Sequence, residues 1–310
     1  MEKSFELKKI VVCLDMTQMD ESLIRFASYI SKKMNADHIL FVHIAPKMEM
    51  PEEIKKSYPG LFTPAEETLR QKMTATVEEL FEAPNNCRTE QLVEEGKPSD
   101  SILKIAKERD IDLLVVGKKM GLKGEGILAR KLAKVAHLSI LMVPEVLPQL
   151  MDRILVPVDF SEDSLLALKQ AIKIKETSEV PMNITCHHVY RLPSGWHSTG
   201  KSKEEFASIM KGHAEKDYQK FLKQLGPDHP QIPCIFTLEE ENNAAQEIYQ
   251  QAVKDRSDLI VLGSKGKTAA ASALLGSTAE RLAECDKNIP LLIAKDKTDN
   301  LSFLEALFKI

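Results

Sequence analysis

Several signals are missing from this sequence, and each absence removes a class of explanation. The five cysteines are scattered (Cys13, Cys87, Cys186, Cys234, Cys285) with no CxxC pair, which excludes a redox motif or a zinc ribbon and leaves free, mostly buried thiols as the reading. Charge of one sign is not in excess: 42 Lys plus Arg stand against 46 Asp plus Glu. A chain that neutralises phosphates along nucleic acid carries a basic surplus, so that role is disfavoured. No apolar run approaches the roughly 18 residues of a membrane span, and MEKSFELKK at the start has no signal-peptide core. A cytoplasmic protein without a membrane partner is expected. With 13 Gly and 15 Pro, the composition is also not that of a collagen-like or disordered chain.

What the chain does have is a repeat. KKIVVCLDMTQMDES at 8–22 returns as DRILVPVDFSEDS at 152–164, HILFVHIAP at 38–46 as NITCHHVYRLP at 183–193, and LKIAKERDIDLLVVGKK at 103–119 as IYQQAVKDRSDLIVLGSKG at 248–266. The shared order makes the chain two copies of one unit. Within each copy, short apolar runs without polar alternation (Ile10 to Leu14, Leu113 to Val116, Ile154 to Val158, Leu259 to Leu262) alternate with helical patterns such as Ser99 to Glu108 and Ala245 to Lys254. That pattern belongs to an α/β fold in which helices cover both faces of an open parallel sheet. The expected domains are 1–147 and 151–296, joined near Pro144 to Leu150, followed by an amphipathic tail over 297–310.

Ligands of open parallel sheets bind beyond the carboxyl ends of the strands. The richest such segment is VLGSKGKTAAASALLGSTAERLAE, Val261 to Glu284. A strand end at Leu262 is followed by Gly263 and Gly266, and Gly276 and Ser277 then open a helix. Glycines let backbone N–H groups approach an anion, and a helix start adds unpaired donors and a positive dipole end. Ser264, Ser277, Thr278, Lys265 and Lys267 complete a phosphate-shaped environment. The Gly266-Lys-Thr run is not a P-loop, because Val261 stands where that motif needs Gly, and GxGxxG is absent. Asp159, just past a strand, is either a ligand contact or a helix cap. His187 and His188 point to opposite faces of a strand and so cannot share a metal, and His188 with His197 is a weak candidate pair.

The Gly-2x-Gly-9x-Gly-Ser spacing of Gly263, Gly266, Gly276 and Ser277 resembles the ATP-binding signature of the universal stress protein family, and of its tandem members in particular. Pro157, Asp159, Phe160 and Ser161 resemble the family's first strand end, and His188 with Val189 its second. The resemblance implies two Rossmann-like domains, similar to the adenine nucleotide alpha hydrolases. It implies a site in the second copy holding ATP, ADP or AMP, with Mg²⁺ arriving on the nucleotide. Asp159 and the backbone of Val189 would hold adenine and ribose, Gly263, Gly266 and Gly276 with Ser264, Ser277 and Thr278 would hold the phosphates, and Pro157, Val158 and Lys267 complete the nucleotide-binding set. It also implies pairing of the two copies through the runs Ile140 to Val143 and Leu291 to Ala294; dimerisation of the whole chain is left open.

The first copy departs from the pattern. It keeps Asp15 but has Cys13 where Pro157 stands, and its loop GKKMGLKGEGILARKLA (117–133) places Gly121, not a glycine three residues on, after Gly117. Ala129 and Arg130 are expected at the positions of Gly276 and Ser277, and Lys118, Lys119, Lys123, Arg130 and Lys131 are read as a solvated basic face. One nucleotide site per chain is therefore expected. The leading function is an ATP-binding stress-response protein in which nucleotide is a regulatory or structural ligand. The alternatives are a slow ATPase or nucleotidyl-transfer enzyme, and a nucleotide-free scaffold.

Overall fold

The computed structural model describes residues 7–46, 57, 63–119, 126–148, 151–178, 180–228, 231–267, 275–285 and 288–297. The expected tail lies, beyond Lys297, outside the described residues. The chain falls into two compact units. In the first, strands β1 (Lys9–Leu14), β2 (His38–Ala45), β3 (Arg88–Glu95), β4 (Leu113–Lys118) and β5 (Ser139–Pro144) alternate with helices α1 (Met19–Met34), α2 (Thr63–Leu80), α3 (Pro98–Glu108) and α4 (Ile127–Val135). In the second, β6 (Arg153–Pro157), β7 (Asn183–Tyr190), β8 (Cys234–Leu238), β9 (Leu259–Gly263) and β10 (Leu291–Ala294) alternate with α5 (Glu162–Glu176), α6 (Lys203–Leu222), α7 (Ala244–Lys254) and α8 (Ser277–Cys285).

Both units use one topology, with strand orders β3-β2-β1-β4-β5 and β8-β7-β6-β9-β10. The pairs within each are parallel, as in Ile10 beside Ile39 and Leu113, or Ile154 beside Ile184 and Leu259. Strand order reverses between β1 and β4 and between β6 and β9, which opens a crevice at the carboxyl ends of those strands. The strands' apolar residues have both neighbours and helices to pack on: Val12, Leu114, Val156 and Val261 are all buried. Capping residues define the helix entries. Ser161 accepts from the Ser164 amide, Ser202 and Glu205 form a reciprocal capping box, and Asn243 accepts from the Gln246 amide. Among the described residues no helix is long and apolar enough to cross a membrane.

Two corresponding glycines lie at the carboxyl ends of β4 and β9, next-to-last in β4 and last in β9, against the first helix of their unit. A Cβ on Gly263 would lie 2.6 Å from the carbonyl of Asp163, whereas one on Gly117 would meet the Met19 side chain at 2.7 Å. Backbone cannot give way as a flexible thioether does. Gly263→Ala is therefore expected to cost about 1–3 kcal/mol by overpacking, and Gly117→Ala clearly less. The urea midpoints of the two variants check this, and equal shifts would contradict it.

His187 is buried in β7, with Nε2 2.9 Å from Thr237 Oγ1 on β8 and Nδ1 without a hydrogen-bond partner among the described residues. Burial pushes its pKa down to about 4. The unfolded chain, with an ordinary imidazole near 6.5, takes up a proton that the folded chain refuses. Stability is thus full above about pH 6.5 and falls as pH drops toward 4, by about 3 kcal/mol from this residue. Unfolding curves between pH 7 and 4 for wild type and His187→Gln should diverge, with wild type losing more; parallel curves would refute the assignment.

Candidate nucleotide site

The segment after β6 and the segment after β9 meet in the second unit's crevice. Val158 extends β6 by donating to the His187 carbonyl at 2.9 Å. Asp159 follows, and Phe160 then adopts φ +65°, a left-handed conformation that costs a non-glycine residue about 1–2 kcal/mol. Packing holds it there: the Phe160 ring stacks on His188 with centroids 4.3 Å apart and leans on Tyr218 and Phe221. His188 Nδ1 lies 2.7 Å from the Val158 carbonyl oxygen, which ties β7 to the end of β6. Burial lowers the His188 pKa, partly offset by that hydrogen bond.

Two carboxylates from the α5 entry hold the loop that leaves β9. Asp163 Oδ2 accepts the Ser264 hydroxyl at 2.7 Å and the Lys265 amide at 2.8 Å. Asp159 Oδ2 accepts the Lys267 amide at 2.7 Å, while its Oδ1 accepts the amide and hydroxyl of Ser161 at 3.1 and 2.5 Å. A Cβ on Gly266 would lie 2.6 Å from Asp159 Oδ2, so glycine is what lets the loop close on the carboxylate. The far end of the loop is anchored by the Gly276 amide donating to Ser264 O at 2.7 Å, and Gly276 O then accepts from Glu280 as α8 begins. Lys267 Nζ sits 5.0 Å from the Phe160 ring centroid.

Pro157, Val158, Asp159, Val189, Gly263, Ser264, Gly266, Lys267, Gly276, Ser277 and Thr278 all line one cavity of about 810 Å³. Ser264 lines it with its hydroxyl engaged by Asp163, and is itself buried. Residues 268–274 of the glycine loop lie outside the described residues. The structure also adds residues that sequence reasoning missed. Asp163 reads as an ordinary acid in a helix's first turn, and only its absence from the first copy, where Met19 stands, hints at its task. Met210, His213, Ala214 and Asp217 of α6 form another wall. Their i, i+3, i+4, i+7 spacing was legible as a helix face but not as a face toward a ligand. His197 is exposed, and among the described residues no group of three His, Cys, Asp or Glu gathers as a metal site. Cys13 and Cys186 are buried, and burial pushes both thiols up to about 12.

The first unit repeats the framework with different fillings. Met16 has φ +63°, and His43 Nδ1 lies 3.0 Å from the Leu14 carbonyl oxygen. Asp15, however, accepts from Thr17 at 2.6 Å and pairs with the Lys119 ammonium, a side chain where the second unit offers a loop amide. The expected placement of Ala129 and Arg130 at the positions of Gly276 and Ser277 is corrected by the structure. Gly126, at φ +58°, precedes the nine-residue α4 and accepts from the Arg130 amide, as Gly276 precedes the nine-residue α8 and accepts from Glu280. Ile127 and Leu128 thus stand where Ser277 and Thr278 stand, so two hydroxyls are replaced by hydrocarbon. Nor do these residues make one solvated face: Lys118 is buried and Lys119 pairs with Asp15, whereas Lys131 is exposed and Lys123 lies outside the described residues.

Comparison with known proteins bears on the family and the fold. Residues 6–144 and 151–293 each match the universal stress protein family. A curated universal stress protein of Methanocaldococcus jannaschii, MJ0577, is 30% identical over 158 residues, 47% of this chain and 95% of that protein. A second from the same organism, MJ0531, is 32% identical over 148 residues, 46% and 81% respectively. Among solved structures, a universal stress protein from Archaeoglobus fulgidus aligns with a TM-score of 0.66 over 94% of this chain and 99% of its own, at 15% identity. The functionally unknown protein PA1789 from Pseudomonas aeruginosa gives 0.67 over 99% of each chain, at 14% identity. Those identities bear on fold alone, but the two matched stretches cover nearly the whole sequence, and the chain therefore belongs to the universal stress protein family, with the family's domain present twice.

Proposed function

We propose that this is a cytoplasmic stress-response protein whose second domain binds one adenine nucleotide, ATP or its ADP or AMP relatives, as a regulatory or structural ligand. The observation that supports this most is the convergence of two spaced glycines, the start of α8 and the end of β6 on a single cavity at the strand-order reversal. Its floor has room only because side chains are missing: a Cβ would press Asp159 at Gly266 and would lie 3.3 Å from the Ser264 carbonyl oxygen at Gly276. In this reading Asp159 and the backbone of Val189 hold adenine and ribose, with Pro157 and Val158 beside them. The phosphates lie along Gly263, Gly266 and Gly276, with Ser277, Thr278 and Lys267 supplying hydroxyl donors and positive charge. Asp159 retains acceptor capacity after its three hydrogen bonds, since a carboxylate has about four lone-pair sites. Mg²⁺ accompanies the triphosphate, coordinated by its oxygens.

The same comparison argues for one site per chain. The first domain offers Ile127 and Leu128 in place of two hydroxyls, Met19 in place of Asp163, and a lysine ammonium on Asp15. For nucleotide to regulate, it must favour one conformation through differential contacts, and the glycine loop carries the contacts that would differ.

Protein purified without added nucleotide and then denatured should release about one adenine nucleotide per chain by chromatography and mass, as one intact site implies. ATP at a hundred times its Kd should raise the unfolding free energy by about 2.7 kcal/mol. Gly276→Val should abolish both effects while leaving the circular dichroism spectrum unchanged. Undiminished ATP affinity in that variant would overturn the site assignment, two nucleotides per chain would overturn the single-site reading, and no release with no stabilisation would leave a scaffold.

A further inference from the structure

We propose that Cys186 on β7 and Cys234 on β8 are a redox-sensitive pair, which hydrogen peroxide links into a disulfide across the two strands. No CxxC spacing announces them, because α6 separates them in the chain; strand register brings them together. Cys186 and Cys234 are directly opposite partners in the parallel ladder of β7 and β8. The Cys186 amide donates at 2.8 Å to the carbonyl of Pro233, the residue before Cys234. Neighbouring strands lie about 4.7–4.9 Å apart, within the roughly 4.4–6.8 Å between Cα atoms that a disulfide spans. Opposed residues of a ladder turn their side chains to the same face, so the sulfurs can meet by side-chain rotation with only local adjustment of the strands. Among the described residues no other two cysteines stand on neighbouring strands. Cys13 is opposite Val42 and Val116, Cys87 precedes β3, and Cys285 ends α8.

The shared face is the one that α6 covers. Residues two apart lie on one face of a strand, so Cys186 goes with His188 and Cys234 with Phe236. The His188 and Phe236 rings meet edge-on with centroids 6.1 Å apart, and Tyr218 of α6 meets Phe236 at 6.0 Å. The Tyr218 hydroxyl donates to the Ile232 carbonyl at 2.8 Å and sits beside the Cys186 thiol. The two thiols differ in access. Cys186 is fully buried, whereas Cys234 opens β8, the outermost strand of its unit, after an exposed proline and is itself part-exposed. Neither residue lines the nucleotide cavity.

That difference sets the order of the chemistry. The Cys234 thiolate attacks one peroxide oxygen, the O–O bond breaks, and a sulfenic acid forms while the other oxygen leaves as hydroxide and takes the thiol proton to become water. The Cys186 thiolate then attacks the Cys234 sulfur. An S–S bond forms, the S–O bond breaks, and the departing hydroxide takes the Cys186 proton as a second water. Two electrons pass from the pair of sulfurs to the peroxide, and a thiol reductant returns them. Peroxide never has to reach Cys186, because the neighbouring strand delivers the sulfenic sulfur to it, and capture spares Cys234 from further oxidation to the sulfinic acid. Burial pushes the Cys186 thiol up to about 12 and raises Cys234 as well. Little thiolate is present at neutral pH, so the pair responds slowly, to sustained rather than trace oxidant.

The test is peptide mapping by mass spectrometry of the full, reduced chain after excess hydrogen peroxide under native conditions, with remaining thiols blocked by N-ethylmaleimide. A linked peptide holding Cys186 and Cys234, two hydrogen atoms lighter than its reduced parts and released by dithiothreitol, should exceed every other pairing by about tenfold or more, as proximity dictates. In urea the linkage should spread over other pairings. Cys186→Ser should leave Cys234 as a sulfenic acid that dimedone traps, an adduct nearly absent from wild type, and Cys234→Ser should leave Cys186 reduced. Wild type that keeps both cysteines reduced, or links either of them mainly to Cys13, Cys87, Cys285 or a second chain, overturns the pair. Oxidation of Cys186 in Cys234→Ser at the wild-type rate overturns the order of attack and with it the proposed step. The wild-type map stands by itself should either variant fail to fold.

Discussion

The second domain's site depends on two carboxylates at the start of one helix. Asp159 and Asp163, four residues apart, accept amides from Lys267 and Lys265, and Asp163 takes the Ser264 hydroxyl as well. A glycine-rich segment is entropically costly to order, and left alone it would not present its backbone in one arrangement. The carboxylates supply that order from α5, an element whose own position is set by its serine cap and by burial against β9. Charge-assisted hydrogen bonds to backbone amides are among the stronger polar contacts, so the loop is tied to the entry of α5 on both sides of Gly266.

That constraint explains why glycine is needed at particular positions rather than generally. Gly263 is small because helix backbone passes over it, Gly266 because a carboxylate does, and Gly276 because the loop returns to its own Ser264 carbonyl. The three residues of the motif thus answer three different neighbours. The same logic separates the two halves. With Met19 in place of Asp163 and Lys119 on Asp15, no second carboxylate holds a loop amide in the first unit among the described residues, and a side chain takes up the first.

Much of the fold was legible because parallel strands covered on both faces read as unbroken apolar runs, and because repetition doubled each observation. The strand at Leu259–Gly263 and the helix at Ala244–Lys254 fall within a residue of their expected bounds. The glycine spacing also named a set of residues that converge in space. What escaped has physical reasons. The register of α4 differs from the expectation because the loop after Gly117 is shorter than the one after Gly263, and Gly126, held at positive φ, marks the helix start. The part played by α6 escaped because a helix with one side on the core and the other in solvent looks the same whether or not its flank borders a cavity. Asp163 escaped because acids in a first helical turn are common for their interaction with the helix dipole.

One feature of the first unit gains meaning from its counterpart. The successive amides of Asp15 and Met16 both donate to the buried carboxylate of Asp20, at 2.9 and 2.8 Å. Two consecutive N–H groups turned to one side by a left-handed residue form an anion-binding nest, and here the anion is covalently part of the chain. In the second unit Ser164 takes the place of Asp20 and turns its hydroxyl to the Ser161 carbonyl. The amides of Asp159 and Phe160 have no side-chain acceptor among the described residues. In the first unit the turn is thus closed by a side chain of the same segment. The second unit builds the same turn with a serine in place of the acid, so one architecture carries a closing carboxylate in one unit and a hydroxyl that turns away in the other.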